Sequence, residues 1–100
     1  MQTKKRPALV IQNDKDNARL TNTILAMITG TTKRSFEPTQ LFIEISRPEG
    51  KLTGLRQDSV VNCLNLFTLP QVYIINIVGN LSAAMMQKVN DCLKAALEIL

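Results

Sequence analysis

Lys5-Arg6-Pro7-Ala8-Leu9-Val10-Ile11-Gln12-Asn13-Asp14, followed further on by Ile28-Thr29-Gly30-Thr31-Thr32-Lys33-Arg34, decides how this chain is read. Ala8 to Gln12 is a short apolar run rich in branched residues, the mark of a strand buried on both faces. Asp14-Lys15-Asp16-Asn17 reads as a polar turn. Thr23 to Thr29 reads as the next strand. If the two strands pair antiparallel, the arginine at the mouth of the first meets the threonine at the end of the second. Such a pair can grip and activate a phosphate.

Charge supports the same location. The net charge is +4, but residues 1–34 hold seven basic residues against two acidic, a balance of +5. The remaining chain is close to neutral, so the field that attracts polyanions sits on the segments carrying Arg6 and Thr29. A basic end kept for solubility has the same charge signature.

The chain contains no histidine. That excludes Ser-His-Asp and Cys-His nucleophilic systems, histidine metal sites and histidine acid–base catalysis, and leaves Arg, Lys, Thr, Asp and Glu to carry any chemistry. Cys63 and Cys92 lie too far apart for a zinc spacing or a disulfide framework, and both are expected as reduced thiols, Cys63 in a strand and Cys92 on a helix. With 100 residues, 45% of them hydrophobic, the chain has room for one domain and one core, spanning 1–100. No apolar run approaches the roughly 18 residues of a membrane helix, and the apolar stretch after the basic start is too short for a signal peptide. The reading is a cytoplasmic protein.

Gly30 to Pro38 reads as an exposed loop. Thr39 to Ile45 alternates polar and apolar as a strand with one wet face. Pro48 to Gly54 connects to Asp58–Leu69, one extended or bent strand ending at Pro70. Tyr73 to Val78 is a further β-branched run. Ser82 is a plausible N-cap for a helix to the C-terminus, whose stripe of Met86, Val89, Leu93, Leu97 and Leu100 faces a core. A second row, Met85, Cys92 and Ile99, widens that face, either within one subunit or against another. Four or five short strands and a terminal helix give a mainly β, small barrel with a C-terminal helix packed on it.

The order of motifs resembles the MazF/PemK family of toxin endoribonucleases: Arg6-Pro7, the apolar run, Gln12-Asn13-Asp14, then Ile28-Thr29. The likeness continues through Lys33-Arg34, Pro38-Thr39, Leu55 to Val61, Thr68, Gly79-Asn80-Leu81 and Met85 to Val89. It implies a small SH3-like β-barrel of the CcdB/MazF/PemK type, a homodimer, and cleavage of single-stranded RNA such as mRNA. The resemblance further implies a reaction that leaves a 2′,3′-cyclic phosphate without a metal or other cofactor, and a cognate antitoxin, acidic and partly disordered as is typical of the family, that blocks the basic groove. On this likeness Arg6 and Thr29 are the catalytic pair. Substrate contacts fall to Lys4 and Lys5, to the loop residues Gly30, Thr31, Lys33 and Arg34, and to Phe36 and Asn65. Phe36 suits either stacking on an unpaired base or anchoring in the core. The general base is open: Asp14 and Glu37 are the carboxylates near in sequence, Asp14 reading also as a turn residue, and Arg6 itself can share proton transfer.

Two departures from the family pattern stand out. Relatives ordinarily carry a Gly-Asp-aromatic strand and a Gly-Ser-Glu-Gln loop before the Arg-Pro, and this reading expects them to be missing, with a sheet edge exposed. Where many relatives have an acidic residue, then Gln, then Arg-Thr, this chain has Leu64-Asn65-Leu66-Phe67-Thr68. Two other functions remain: a catalytically impaired relative acting as an antitoxin-binding dimeric module, and a CcdB-like gyrase poison. The poison would act through a C-terminal Trp-Gly-Ile-type tail, and this chain has no tryptophan and ends Glu98-Ile99-Leu100.

Overall fold

Alternation of apolar side chains along three of the segments above builds one antiparallel sheet. The structure, a computed structural model, describes residues 5–99. Strands β1 (Ala8–Val10), β2 (Asn22–Thr29), β3 (Gln40–Ile43) and β4 (Ser59–Pro70) lie in the order β1-β2-β4-β3. β4 is the longest, and it bends as the sequence allowed. Its pairing with β2 jumps between Ala26 and Met27, whose partners are Leu66 and Asn62, so Cys63, Leu64 and Asn65 have no residue of β2 opposite them. Extra residues on one strand of a pair bend it and increase its twist, and here they curl the sheet into a half-barrel.

One face of the curl holds the core. Ala26 and Ile28 of β2, Val61 and Cys63 of β4, and Leu41 and Ile43 of β3 meet Met85, Val89 and Cys92 of the C-terminal helix α3 (Ala83–Leu97). Ser82 is its N-cap, with its hydroxyl accepting from the Met85 N–H at 3.1 Å. The expected helix stripe is rotated by one residue. Met85, Val89 and Cys92 are the buried positions, Met86 and Leu93 are half-buried, and Leu97 is 55% exposed. Leu100 lies outside the described residues. The curled sheet is narrow and takes only the centre of the apolar face, so the flank carrying Leu97 is left to solvent.

The other departures are local. Asp14–Arg19 is a short helix, α1, and not a turn. Asn13 caps it by accepting from the Asp16 N–H at 2.8 Å, Asp14 and Asp16 sit in its first turn, and Arg19 in the last turn pairs with Asp16. Each of these favours a helix terminus, and together they convert a turn signal into six helical residues. Asn17 then ties α1 to the sheet, with its Oδ1 accepting from the Thr23 hydroxyl at 2.6 Å and from Gln12 Nε2 at 2.8 Å.

Pro48–Lys51 forms a single helical turn, α2, inside the expected connection. β3 ends at Ile43, two residues short of the expected strand, and Gln40 is buried where a wet face was expected. The run Tyr73–Val78 is not a strand. Pro70, which has no N–H, ends the β4 ladder, a 3₁₀ turn follows at Gln71–Tyr73, and Ile75, Ile77 and Val78 stay exposed. β-branched composition marks an extended backbone and does not supply a pairing partner. None of the helices among the described residues is long and apolar enough to cross a membrane.

Candidate active site

The β1–β2 register is the starting point. Ala8 lies opposite Met27, Leu9 opposite Ala26 and Val10 opposite Leu25. Beyond the ladder the Ile28 N–H still donates to the Pro7 carbonyl, at 3.3 Å. Continuing the register by one more residue sets Arg6 opposite Thr29. Residues directly opposite in an antiparallel pair point to the same face. Leu9 turns to the core with Ala26, so Arg6 belongs with Ala8, Met27 and Thr29 on the face away from α3.

Across the sheet the same face continues in rows. Thr29 lies opposite Val60 and Val60 opposite Phe42; in the next row Met27 lies opposite Asn62 and Asn62 opposite Gln40. The loop from Gly30 to Thr39 leaves β2 and crosses β4 to enter β3. It is built from successive turns, with Ser35 N–H donating to Thr32, Glu37 to Arg34 and Gln40 to Glu37. Beneath it lies an open cavity of about 260 Å³. Met27 and Thr29 of β2, Gln40 of β3 and Asn62 of β4 form its floor, and Thr31, Lys33 and Arg34 of the loop form its rim.

The residues singled out from sequence therefore divide. Thr29, Thr31, Lys33 and Arg34 are brought together in one cavity, and Gly30, between Thr29 and Thr31, packs against the Gln57 side chain and is not one of the lining residues. Lys5 and Arg6 are exposed at the start of β1. Asn65, in the bent part of β4, touches the cavity floor through Met27, its Nδ2 lying 3.1 Å from the Met27 sulfur. Phe36 is 82% exposed on the loop, so it is not a core anchor. Lys4 lies outside the described residues. Asp14 stands at the opposite end of β1 from Arg6, whereas Glu37 sits on the loop 3.7 Å from the Arg34 guanidinium. Met27, Gln40 and Asn62 were missed. Asn62 had a signal, a polar residue set inside an otherwise apolar strand, Val60-Val61-Asn62-Cys63, whereas Met27 had none.

Chemically, the arrangement suits a phosphate. The Thr29 hydroxyl oxygen accepts from the Thr31 N–H at 3.2 Å, which leaves its own O–H free to donate. Lys33 and Arg34 add positive charge at the rim, and Arg6 supplies a permanently charged fork. The cysteines take no part. Both are free and buried on the core side. Burial, with Cys92 alongside, pushes the Cys63 thiol from 9.0 up to about 11, and burial also raises Cys92, aided by Asp91 and opposed by the Cys63 thiol. Neutral thiols of this kind are poor nucleophiles. Among the described residues no group of three or more Cys, Asp or Glu is arranged to hold a metal ion.

Comparison with known proteins decides the family. Residues 1–97 match the family described as PemK-like, MazF-like toxin of type II toxin–antitoxin system. The chain belongs to this family. It is 36% identical over 97 residues to Endoribonuclease MazF6 of Mycobacterium tuberculosis, covering 96% of this chain and 81% of that protein. It is 30% identical over 95 residues to Endoribonuclease EndoA of Bacillus subtilis, covering 95% of this chain and 78% of EndoA. The fold agrees. The Mycobacterium tuberculosis toxin MazF-mt6 superposes with a TM-score of 0.82 at 26% identity, over 95% of this chain and 88% of that one. A mycobacterial endoribonuclease in complex with its cognate antitoxin superposes with a TM-score of 0.76 at 25% identity, over 95% of this chain and 82% of that one. The mainly β family fold with its C-terminal helix is thus the fold of this chain.

Proposed function

We propose that this chain is an endoribonuclease toxin that cuts single-stranded RNA such as mRNA without a metal ion, works as a cytoplasmic homodimer of one-domain subunits, and is held inactive by a cognate antitoxin. The observation that supports this reading is the β1–β2 register, which, continued past Ala8 and Pro7, aligns Arg6 with Thr29, a residue that lines the cavity rimmed by Lys33 and Arg34. Endoribonucleases among the relatives supply the reaction.

In that reaction the 2′-hydroxyl attacks the adjacent phosphorus, the 5′-oxygen leaves, and a cyclic phosphate forms. Charge builds on the non-bridging oxygens of the phosphorane. The Arg6 guanidinium offers two parallel N–H donors to those oxygens, and Thr29 donates its O–H to hold the phosphate in line. Lys5, Lys33 and Arg34 anchor the neighbouring phosphates, and Phe36, exposed on the loop, offers a face to an unpaired base. Glu37 on the loop is the carboxylate left to take the proton from the 2′-hydroxyl, since Asp14, at the far end of β1, is too remote. The basic groove is the complement of an acidic antitoxin segment.

The test is incubation of the folded chain with a defined single-stranded RNA in excess chelator. Fragments ending in 2′,3′-cyclic phosphate and 5′-hydroxyl are the expected products. An uncut RNA in the presence of demonstrably folded protein contradicts the enzyme reading and leaves the antitoxin-binding module as the account of the chain.

A further inference from the structure

The cavity floor carries a pair of oriented amides that phosphate chemistry does not use. Asn62 Oδ1 accepts from the Leu64 backbone N–H at 2.9 Å and from Gln40 Nε2 at 2.8 Å. A backbone N–H can only donate, so it fixes which end of the Asn62 amide faces it. Gln40 is fixed in turn. Its NH₂ must face Asn62 Oδ1, and its second hydrogen goes to Thr39 Oγ1 at 3.2 Å.

Two polar groups are left over, the NH₂ of Asn62 and the carbonyl oxygen of Gln40. Both side chains line the cavity. Gln40 is only 8% exposed, yet among the described residues no buried side-chain nitrogen or oxygen lacks a partner. Gln40 Oε1, which takes no part in those hydrogen bonds, therefore opens onto the cavity. A donor and an acceptor stand side by side, held from behind, in the row next to Thr29. Two residues of strand separate the rows, about 7 Å. That is a span one nucleotide can bridge, its phosphate at Thr29 and its base over the amides.

We infer that Gln40 and Asn62 form a base-reading pair. An unpaired nucleobase enters the cavity, accepts from the Asn62 amide hydrogens and donates to Gln40 Oε1, so the pair helps set which sequences are cut. The inference rests on the ribonuclease reading for its ligand, single-stranded RNA.

N62D is the sharp variant. A carboxylate at this position still accepts from Leu64 and Gln40, but the group facing the cavity changes from donor to acceptor. Two adjacent acceptors match two adjacent donors, which among the four bases only the N1–H and N2–H₂ edge of guanine presents. The measurement is binding of short 2′-O-methyl RNAs, each with one base flanked by abasic positions, to the parent and to N62D, beside cleavage of the matching ribose strands by the parent. The expected result is that the parent ranks the four bases and that N62D shifts the ranking towards guanine by on the order of tenfold. The added charge weakens all four alike. Q40M keeps the cavity filled and removes the acceptor; it is expected to flatten the ranking by a similar factor, and it serves if N62D does not fold. An unchanged ranking in either folded variant, or a parent that does not rank bases, overturns the inference. Ranked binding without cleavage sinks only the ribonuclease reading, and cleavage with unranked binding sinks only the base-reading pair.

Discussion

At the scale of single residues, the groups assigned to chemistry and the groups that hold the fold lie on opposite faces of one sheet. The antiparallel pairing of β1 with β2 was legible in the sequence, and its register, continued beyond Ala8, aligns Arg6 with Thr29, the pair proposed as the catalytic centre. Gln40 and Asn62 were not legible, because only the fold shows that two polar residues 22 positions apart are cross-strand partners. Cys63 gives a test on the core face. Its thiol is raised from 9.0 to about 11, chiefly by burial. The folded state therefore keeps its proton at a pH where the unfolded chain has lost it, so this contribution is complete below pH 9 and is lost as pH rises through 11. Unfolding titrations at pH 8 and pH 11 are expected to show the parent losing on the order of 2 kcal/mol more than Cys63→Ala. Equal losses in the two proteins would contradict a thiol buried in its neutral form.

At the scale of elements, the parts with a strong local signal were legible: β2, the bent β4, and α3 with its Ser82 cap. The misreadings share a cause. α1 depends on capping hydrogen bonds that compete with a turn, and 73–78 has the composition of a strand but pairs with none of the four strands of the sheet. That segment is instead stitched to the turn after α2. The Asn80 N–H donates to the Leu52 carbonyl at 3.2 Å, and Gly54, at φ 73, lies so close to Val78 that a Cβ would overlap its carbonyl oxygen. Gly54→Ala adds a left-handed backbone penalty to that overlap and is expected to cost at least about 2 kcal/mol, read by chemical denaturation. A loss below about 0.5 kcal/mol would show that the stitch does not constrain the fold.

At the scale of the whole molecule, positive charge collects on the cavity face, and apolar surface collects elsewhere. Ile77 is 84% exposed and Ile75 67% exposed in the 73–78 run, which failed to form a strand, and Val72, in the turn before it, is 87% exposed. Three large apolar side chains left exposed within six residues make this segment a candidate interface, which fits the proposed homodimer. In light scattering the parent is expected at twice its chain mass, and a variant carrying both Ile75→Lys and Ile77→Lys at the mass of one chain, with an unchanged far-ultraviolet circular dichroism spectrum. A variant that stays dimeric would move the interface to the Leu97 and Ile99 end of α3, and a monomeric parent would remove the dimer from the account.

The central claim is that Arg6 and Thr29 act as one centre across the β1–β2 pair. Its most direct test is a double-mutant cycle on RNA cleavage rate, with Arg6→Ala, Thr29→Ala and the combined variant, all folded and all assayed in excess chelator. Residues that act on one phosphate fail together, so each single change is expected to reduce the rate by on the order of 100-fold or more, with the combined variant little worse than the poorer single one. Rates that fall independently and multiply, or a single variant that still cuts at the parent rate, would contradict the shared centre.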